Sequence, residues 1–454
     1  ETSVSHQAYE ASRLDDSETH KMLSKTYPYT ILITEDDDEV RCFLERELSP
    51  HFKTRTAANG KDALRVLEEE EISLVVSDVM MPEMNGLELT AKVKSDIEYS
   101  HIPVILLVLT CCPACQNKKA SATKEIPSEA TYTNPLLAVG AEPWAVFHEG
   151  KYYYTQGAEN KIILWETNDI TDLEHAVWKE VWIPKEISNS YHLWGPEIHR
   201  IDGKWYVYFA ADDGNMDNHH IYVIENSSPN PLEGEFVMKG RIKTDKDDNW
   251  AIHASTFEHQ GQRYLIWCGW PKRRIETETQ CIYIARMENP WTLSSDRVMI
   301  AEPEYEWERQ WISPDGSKTA YPIHVNESPQ FFESKNKDKV LIYYCASGSW
   351  TPYYCIGLLT ADAGSDLTNA ASWKKQDTPV FEQQPEDSVF GPGSPSFVPT
   401  PDEKEWYMLY HARKIPNDAP GATDSRSPRL QKISWDANGM PVLGKPCKEG
   451  TQIK

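Results

Sequence analysis

The segment His324-Val325-Asn326-Glu327-Ser328-Pro329-Gln330-Phe331-Phe332 places a carboxylate, Glu327, at the start of an apolar run. Charged and polar turn residues follow over 334–339, and a second apolar run covers Val340-Leu341-Ile342-Tyr343-Tyr344. Two short apolar runs joined by a polar turn are typical of paired β-strands. The segment therefore predicts an acid at the mouth of a strand hairpin, and the same layout recurs over the C-terminal two thirds of the chain.

Five segments repeat this layout of a polar entrance, an apolar strand, a polar turn and an aromatic strand. They begin about 50 to 75 residues apart, and several short strands at such a period are typical of propeller blades. The predicted fold class is therefore mainly β, with a five-bladed β-propeller. The five entrances lie at 142–147, 194–199, 252–257, 326–331 and 391–397.

The first strand of each blade lines the axis of a propeller, so residues at the five entrances converge at one end. The residues expected to face one another there are Glu142, Glu197, His253, Glu327 and Ser394. Solvent in the central channel of the propeller would also explain polar residues at the starts of these strands. Aromatic side chains among the acids favour a sugar pocket, because sugar faces stack on aromatic rings. With Glu197, the residues expected to bind substrate are Trp144, Trp194, Tyr321 and Trp350, although a core role is the alternative for the aromatic ones.

The composition divides the 454 residues into an aromatic-poor front part and an aromatic-rich main part, since all sixteen Trp lie between Trp144 and Trp435. The formal net charge of −24 argues against nucleic acid or an anionic membrane as partner, because phosphate binding needs clusters of Lys and Arg. No apolar run reaches the roughly 18 residues needed to span a bilayer, and we expect a monomer. The segments expected are a linker or disordered stretch at 1–28, an α/β segment at 29–107, a second linker at 108–132 and the propeller at 133–454.

From residue 29 onward, short apolar runs alternate with amphipathic runs in βαβα order. This order predicts a parallel sheet, at whose carboxyl edge Glu35, Asp36 and Asp78 would meet. Three clustered carboxylates are ligands of the kind that Mg²⁺ prefers. The runs 31–37 and 77–86 make the segment resemble a response-regulator receiver domain. The resemblance implies that Asp78 is the phosphoacceptor and that Glu35 and Asp36 are the acids on the metal side.

This resemblance ends early in the sequence. After residue 107 the receiver family would supply a Thr or Ser, another helix and a fifth strand ending in Lys-Pro, and none of these follows. The flavodoxin-like sheet would then lack its fifth strand, and the site would lack the phosphate-binding Lys. We interpret the segment as an incomplete, vestigial receiver rather than a working one.

The stretch 106–119 resembles the end of a bacterial lipoprotein signal, with an apolar run, small residues, a Cys and a polar Lys-containing tail. Cys115 would be the lipidated residue, which implies a periplasmic or cell-surface propeller. The stretch is internal, however, where a secretory signal does not normally act. A plain linker between two joined segments is the alternative.

The propeller region resembles glycoside hydrolase family 43, which contains five-bladed arabinofuranosidases and xylosidases. The resemblance covers about 134–442 and rests on several motifs that agree in order. They are Ala141-Glu142-Pro143-Trp144, Trp194-Gly195-Pro196-Glu197-Ile198-His199, Asn326-Glu327-Ser328-Pro329, Ala346-Ser347-Gly348-Ser349-Trp350-Thr351-Pro352 and Tyr410-His411-Ala412-Arg413.

By this resemblance Glu327 is the general acid and Glu142 the general base of an inverting reaction, in which the carboxyl groups lie roughly 6.5–9.5 Å apart. The family usually has Asp as the base. His253 stands where the family has a third Asp that modulates the pKa of the acid, and it is expected to hold the acid by a hydrogen bond. The family also implies a structural Ca²⁺ near the axis, and Ser394 in place of the usual His weakens that expectation. No cofactor is expected to be required.

The function favoured by the sequence is hydrolysis of side chains of plant cell-wall polysaccharides by an α-L-arabinofuranosidase, with an oligosaccharide or polysaccharide as partner. A β-xylosidase is the second possibility. A carbohydrate-binding propeller that has lost catalysis is kept open by the residues at His253 and Ser394. A two-component signalling protein is the least favoured alternative, because the receiver segment is incomplete.

Overall fold

The computed structural model describes two compact units, one within residues 1–124 and the other within 125–454. The described residues are 29–49, 51–79, 81–82, 84–96, 98–107, 131–273, 277–316, 321–418 and 424–453. The segment 1–28 and the lipoprotein-like Cys115 lie outside them. None of the helices in the described part of the chain is long and apolar enough to cross a membrane.

The first unit is a four-stranded parallel sheet with helices between its strands. In the sheet, β1 lies between β2 and β3, and β4 pairs with β3, which confirms the predicted parallel sheet. The family pattern expected after residue 107 lies outside the described residues. The elements are β1 (Thr30–Thr34), α1 (Asp38–Leu48), β2 (Lys53–Ala57), α2 (Gly60–Glu69), β3 (Leu74–Asp78), α3 (Gly86–Ser95) and β4 (Val104–Leu107).

Side-chain caps set where two of these helices begin. Asn59 precedes α2 and accepts hydrogen bonds from the backbone N–H groups of Lys61 and Asp62. Asn85 and Glu88 form a capping box at the start of α3, which satisfies backbone donors that the helix itself leaves unpaired. The two turns before these helices are thereby fixed, and the second follows β3, the strand that carries Asp78.

The second unit is built from short, mostly antiparallel strands, which form two four-stranded sheets, one three-stranded sheet, one nine-stranded sheet that spans two blades, and two two-stranded pairs in the described part of the chain. Five short 3₁₀ turns lie between them, at 187–189, 216–218, 306–308, 370–372 and 385–387. The strands β5 to β28 are, in chain order, Tyr132–Thr133, Trp144–His148, Lys151–Thr155, Ile162–Thr167, Val177–Trp182, Tyr191–Ile201, Lys204–Asp212, His220–Asn226, Val237–Arg241, Ala251–His259, Gln262–Gly269, Glu278–Asn289, Thr292–Leu293, Val298–Ala301, Ile323–Glu333, Lys339–Ala346, Cys355–Asp362, Lys374–Lys375, Phe390–Pro399, Trp406–Arg413, Ser427–Lys432, Ser434–Trp435, Pro441–Val442 and Gln452–Ile453.

These strands form five blades, as the repeat predicted. The blades are β6-β7-β8-β9, β10-β11-β12-β13, β14-β15-β16 with β18, β19-β20-β21-β22, and β23-β24-β25. In every blade the first strand is the one that begins at a predicted entrance. A short parallel pairing of β16 with β19 also links blades 3 and 4, between Glu278–Gln280 and Ile323–Val325.

The apolar core lies between neighbouring blades rather than inside any one of them. Phe257 of blade 3 stacks on Phe331 of blade 4 at 4.1 Å between ring centroids, and Phe332 stacks on Phe397 of blade 5 at 4.5 Å. Tyr154 of blade 1 belongs to the same buried cluster as Leu409 of blade 5. Each blade is therefore held by burial against two neighbours, and blade 1 closes the ring against blade 5.

The first and last strands of the second unit meet where the ring closes. β5 pairs with β28, and the backbone N–H of Leu136 donates to the carbonyl of Pro428 in β25. The buried side chain of Asn134 bridges the same seam, since its Nδ2 donates to the carbonyl of Leu430 and its Oδ1 accepts from the N–H of Leu430. Residues from the start of the unit thus extend blade 5, which has only three strands of its own.

Candidate active site

A left-handed backbone residue stands at the entrance of each innermost strand. Four of the five entrances also show a shift in strand register there, the mark of a β-bulge. The side chain at each of these positions is therefore turned differently from those along the regular strand that follows. The five residues and their φ angles are Glu142 (55°), Gly195 (53°), His253 (51°), Ser328 (48°) and Ser394 (50°).

In two of the five blades these equivalent positions differ by one or two residues from the alignment expected from the sequence. In blade 4 the left-handed residue is Ser328, and Glu327 precedes it. In blade 2 it is Gly195, and Glu197 lies two residues further along the strand. The sequence repeat alone does not reveal this difference, because the bulge adds a residue to one strand without changing the polar character of the entrance.

A large pocket of about 1190 Å³ opens at the entrances. Glu142, His253 and Glu327 all line it, although up to 185 residues separate them along the chain. Among the residues expected to bind substrate, Trp194, Tyr321 and Trp350 also line it. The propeller thus brings both candidate carboxylates and three aromatic rings to one cavity.

Two of the residues expected to bind substrate lie elsewhere. Trp144 and Glu197 line a much smaller cavity on the axis, of about 20 Å³, and do not line the large pocket. Trp144 packs on the ring of His199 at 4.8 Å and donates its indole N–H to the carbonyl of Ile198. Its contacts are therefore those of a packed interior residue between blades 1 and 2.

Glu327 is the more deeply buried of the two candidate catalytic carboxylates, with 7% of its surface exposed. Burial raises its pKa, and the charge of Glu142 adds to the rise; a charged His253, the hydrogen bond from Tyr354 and the charge of Arg426 oppose it. The hydroxyl of Tyr354 donates to Oε1 of Glu327 at 2.7 Å. A carboxyl group with a raised pKa holds its proton nearer neutral pH, as a general acid requires.

Glu142 is held on three sides by other blades. Its Oε2 accepts a hydrogen bond from the N–H of Gly195 at 2.7 Å, and its backbone N–H donates to Nδ1 of His411 at 3.1 Å. Its Oε1 lies 3.5 Å from Nε2 of His253. These contacts fix the carboxylate at the edge of the pocket, where it can accept a proton from a water molecule.

Arg426 is a pocket residue that the sequence reasoning did not single out. It lines the cavity beside Asp424, to which its Nε donates at 2.7 Å. Asp424 and Asp418 also pair with the buried Arg413, which anchors the same loop to the carbonyl of Ser349. Arg426 belongs to no local sequence motif. It lies in the loop before β25, and the folding of blade 5 brings it to the pocket.

The aromatic rings that line the pocket are held by stacking on other rings. Trp194 stacks on His219 at 4.0 Å between ring centroids, and Trp250 stacks on Trp270 at 4.9 Å. His219 is fully buried and lies 3.1 Å from the buried carboxylate of Asp212. A platform supported in this way presents a fixed flat face, which suits stacking against a sugar ring.

The axial cavity is a poor fit for the Ca²⁺ that the family resemblance implies. Ca²⁺ takes six to eight oxygen ligands at roughly 2.3–2.6 Å, whereas about 20 Å³ accommodates a single water molecule. Glu197 is engaged already, by Nε2 of Gln330 and by His199 at 3.2 Å. Within the described residues the buried hydroxyl of Ser394 has no hydrogen-bond partner, and one water molecule would satisfy it.

In the first unit, Glu35, Asp36 and Asp78 come together as expected, with ligand oxygens within 4.8 Å of one another. Burial raises the pKa of Glu35, and the charges of Asp78 and Asp36 add to the rise. Three carboxylates at this spacing fit a hard divalent cation such as Mg²⁺. Its charge would offset the mutual repulsion of the three acids.

A five-bladed propeller whose pocket pairs a buried acid with a second, well-anchored carboxylate belongs to the class of enzymes that cleave glycosidic bonds. Residues 132–441 match the family model described as glycosyl hydrolases family 43. The chain belongs to glycosyl hydrolase family 43.

Relatives of the propeller unit carry names within this class. The chain is 36% identical over 339 residues to an extracellular exo-α-(1→5)-L-arabinofuranosidase of Streptomyces avermitilis, covering 73% of this chain and 67% of the relative. It is also similar to the crystal structure of an α-L-arabinofuranosidase from Lactobacillus brevis. That likeness has a TM-score of 0.63 at 31% identity and covers 70% of this chain and 98% of the other.

The first unit matches a different family. Residues 31–118 match the model described as response regulator receiver domain. Over 94 residues, 21% of this chain, the sequence is 43% identical to a protein of Formosa agariphila named histidine kinase P4, of which the match covers 7%. Both resemblances predicted from the sequence are therefore confirmed.

Proposed function

We propose that this protein is an exo-acting α-L-arabinofuranosidase that removes terminal arabinofuranose units from plant cell-wall polysaccharides with inversion of configuration. The observation that carries the proposal is the presence of Glu142 and Glu327 in one aromatic-walled pocket. The names of the relatives from Streptomyces avermitilis and Lactobacillus brevis support the sugar, and the name of the first supports the exo mode of action.

In this mechanism Glu327 is protonated in the resting enzyme and donates its proton to the glycosidic oxygen as the bond to the anomeric carbon breaks. Glu142 is ionised and accepts a proton from the water molecule that attacks the opposite face of the sugar. The N–H of Gly195 stabilises the anionic form of Glu142. Each of these proton transfers contributes roughly 10²- to 10⁴-fold to the rate.

The pocket walls supply binding and orientation. Trp194, Tyr321 and Trp350 offer ring faces for the apolar sides of the sugars. Arg426 and His192 offer polar groups for sugar hydroxyls at the same cavity. The pocket is larger than one pentose requires, so the sugar that carries the arabinose also lies inside it.

A panel of nitrophenyl glycosides, followed by a defined arabino-oligosaccharide, tests the function. We expect turnover of the α-L-arabinofuranoside above the β-D-xyloside. We also expect proton NMR to show β-L-arabinose as the first product from the α-linked substrate. Retention of configuration would contradict the mechanism. Arabinan binding without turnover of any pentoside would favour a carbohydrate-binding propeller.

We also propose that the propeller unit acts outside the cytoplasm, at the cell surface or in the periplasm. The relative from Streptomyces avermitilis is named an extracellular enzyme, and the polysaccharide that we propose as the substrate of this protein is too large to enter a cell. Mass spectrometry of the mature N-terminus checks the proposal. Lipidated Cys115 would support it, and a mature chain that retains residues 29–107 in the cytoplasmic fraction would contradict it.

A further inference from the structure

His253 contacts the base of the reaction rather than the acid. It is buried, with 6% of its surface exposed, and its backbone is left-handed at the entrance of blade 3. Its Nε2 lies 3.5 Å from Oε1 of Glu142, and its Nδ1 lies 2.5 Å from Oγ of Ser328. Among the hydrogen bonds of the described residues, His253 makes none to Glu327.

These two contacts call for a hydrogen on Nε2 of the imidazole ring and allow Nδ1 to accept. The ionised carboxylate of Glu142 can only accept, so the ring nitrogen facing it must carry the hydrogen. The hydroxyl of Ser328 can donate, so Nδ1 needs no hydrogen and accepts from Ser328. A neutral ring with its hydrogen on Nε2 therefore satisfies both neighbours.

The other groups around the ring are consistent with a neutral state. His411 faces it from blade 5, and Arg426 carries a positive charge in the same pocket. A further positive charge on His253 would be repelled by Arg426. It would also favour the ionised form of Glu327, which must hold a proton. Two acidic residues also lie near the ring. One is Glu142, and the other is Glu197 across the axial cavity, which is paired with Gln330 and His199.

The base is also longer than the aspartate that the family resemblance implies, by one methylene and one rotatable bond. Its two oxygens face two different blades, since Oε2 accepts a hydrogen bond from the N–H of Gly195 in blade 2 and Oε1 lies 3.5 Å from the ring nitrogen of His253 in blade 3. An anchored carboxylate keeps the geometry that proton transfer from water requires. A displacement of about 1 Å at such a group can reduce the rate by about 100-fold.

We propose that His253 is a positioning residue for the base Glu142, with Ser328 fixing the ring of His253, and that it does not assist the acid. The inference rests on the proposed hydrolase function. It assigns Glu142 and His253 to one functional pair, in which the ring nitrogen of His253 lies 3.5 Å from the longer carboxylate.

Leaving-group dependence distinguishes support of the base from support of the acid. A good leaving group departs without a proton, so loss of the acid matters little with a dinitrophenyl substrate, whereas loss of the base still does. We expect His253→Ala to lower kcat/KM by about 10- to 100-fold, equally for dinitrophenyl α-L-arabinofuranoside and for an arabino-oligosaccharide. Glu327→Gln should lose far less with the dinitrophenyl substrate than with the oligosaccharide.

Three further variants complete the set. Ser328→Ala should show a smaller loss of the same kind, independent of the leaving group. The double variant Glu142→Gln/His253→Ala should lose no more activity than Glu142→Gln alone, because the two residues act as a pair. His259→Ala is the matched control, since His259 is a buried histidine at the far end of the same strand and bonds the carbonyl of Ala363.

A second measurement is independent of activity. In the full chain labelled with ¹⁵N-histidine, the resonances that disappear in His253→Asn should report a neutral ring with its hydrogen on Nε2 at pH 7. Ser328→Ala should shift the Nδ1 resonance, and Glu142→Gln should shift the Nε2 resonance. A charged ring, or a hydrogen on Nδ1, would overturn the assignment.

The outcomes separate the two proposals. A wild-type protein that hydrolyses no pentoside would defeat the proposed function, while the NMR spectra would still decide whether the contact between Glu142 and His253 exists. An active wild type whose His253→Ala loss vanishes with the dinitrophenyl substrate would defeat the positioning role alone. Unchanged activity in His253→Ala would do the same.

Discussion

At the scale of single residues, the pocket depends on two carboxyl groups with different surroundings. Glu327 is buried, with 7% of its surface exposed, and accepts a hydrogen bond from one hydroxyl, whereas Glu142 accepts a backbone N–H and lies closer to solvent. Desolvation disfavours the charged form of a carboxyl group, and hydrogen bonds to its oxygens favour that form. The raised pKa of Glu327 supports its proposed role as the acid, and the hydrogen bond from the N–H of Gly195 suits Glu142 to the proposed role of base.

Replacing Glu327 by Gln keeps the shape and removes the proton. We expect a loss of roughly 10²- to 10⁴-fold in kcat/KM on an arabino-oligosaccharide, with little change in the thermal unfolding temperature. Kinetics and calorimetry on the same preparation measure both quantities. Activity within a few-fold of the wild type would remove Glu327 from the role of general acid.

Tyr354→Phe tests the surroundings of the acid. The hydroxyl of Tyr354 donates to Glu327 and stabilises its ionised form, which lowers the pKa. Without that hydroxyl the pKa of Glu327 rises further, so the proton is kept to higher pH. The basic limb of kcat/KM against pH should therefore move upward. A shift to lower pH, with the protein still folded, would show that the basic limb belongs to another group.

The sequence predicted which residues supply chemistry better than it predicted their contacts. Glu142, His253 and Glu327 were expected in one cavity, and they line one cavity. The partner of His253 could not be foreseen, because a bulge of one residue decides whether its ring faces the acid or the base. Arg426 was missed for a similar reason, because the tertiary structure of blade 5, rather than a local motif, brings it to the pocket.

At the scale of elements, the recurring feature is the left-handed residue that opens each blade. Non-glycine residues occupy four of the five positions, at a backbone cost of roughly 1 to 2 kcal/mol each. The pairing of the strand on either side of the bulge holds that conformation. Sequence periodicity predicted the strands and their order correctly, because alternating apolar residues are a local signal, whereas bulges are set by pairing with the next strand.

Gly195→Ala measures this backbone cost directly. An added Cβ would lie 3.6 Å from Nδ1 of His253, an ordinary contact, so the expected effect comes from the backbone. We expect a loss of about 1 kcal/mol in the free energy of unfolding, measured with denaturant. Gly364→Ala is the control, because its φ is not positive and an added Cβ would have no neighbour within 4 Å. Equal stability of the two variants would refute a strained backbone at Gly195.

At the scale of the whole molecule, the propeller is a ring that the chain must close. The seam is made by residues from the two ends of the unit, in which β5 pairs with β28 and Asn134 bonds Leu430. The sequence predicted five blades from their repeat. It gave no sign of the seam, because Asn134 and Leu430 lie 296 residues apart in non-repeating segments.

Asn134→Ala tests the seam. The substitution removes both hydrogen bonds to Leu430 and leaves its N–H without this partner, whereas its carbonyl still accepts from the hydroxyl of Tyr132, so we expect a loss of about 1 to 3 kcal/mol in unfolding free energy. The transition should remain a single step for the propeller unit if the ring unfolds as a whole. Asn438→Ala, at an exposed turn, is the control and should change stability by less than about 0.5 kcal/mol. Wild-type stability in Asn134→Ala would show that the seam contributes little.

The left-handed residues at the five entrances also affect how the active site of such a protein can change in evolution. The same backbone conformation there accommodates Glu, Gly, His and two Ser residues. The side chain at such a position can therefore change while the strands that follow it keep their structure. Natural selection can therefore exchange a functional group by replacing a single codon, without rebuilding a strand. Enzymes with this fold can therefore change their specificity for glycosidic bonds through single substitutions, each of which leaves a folded protein.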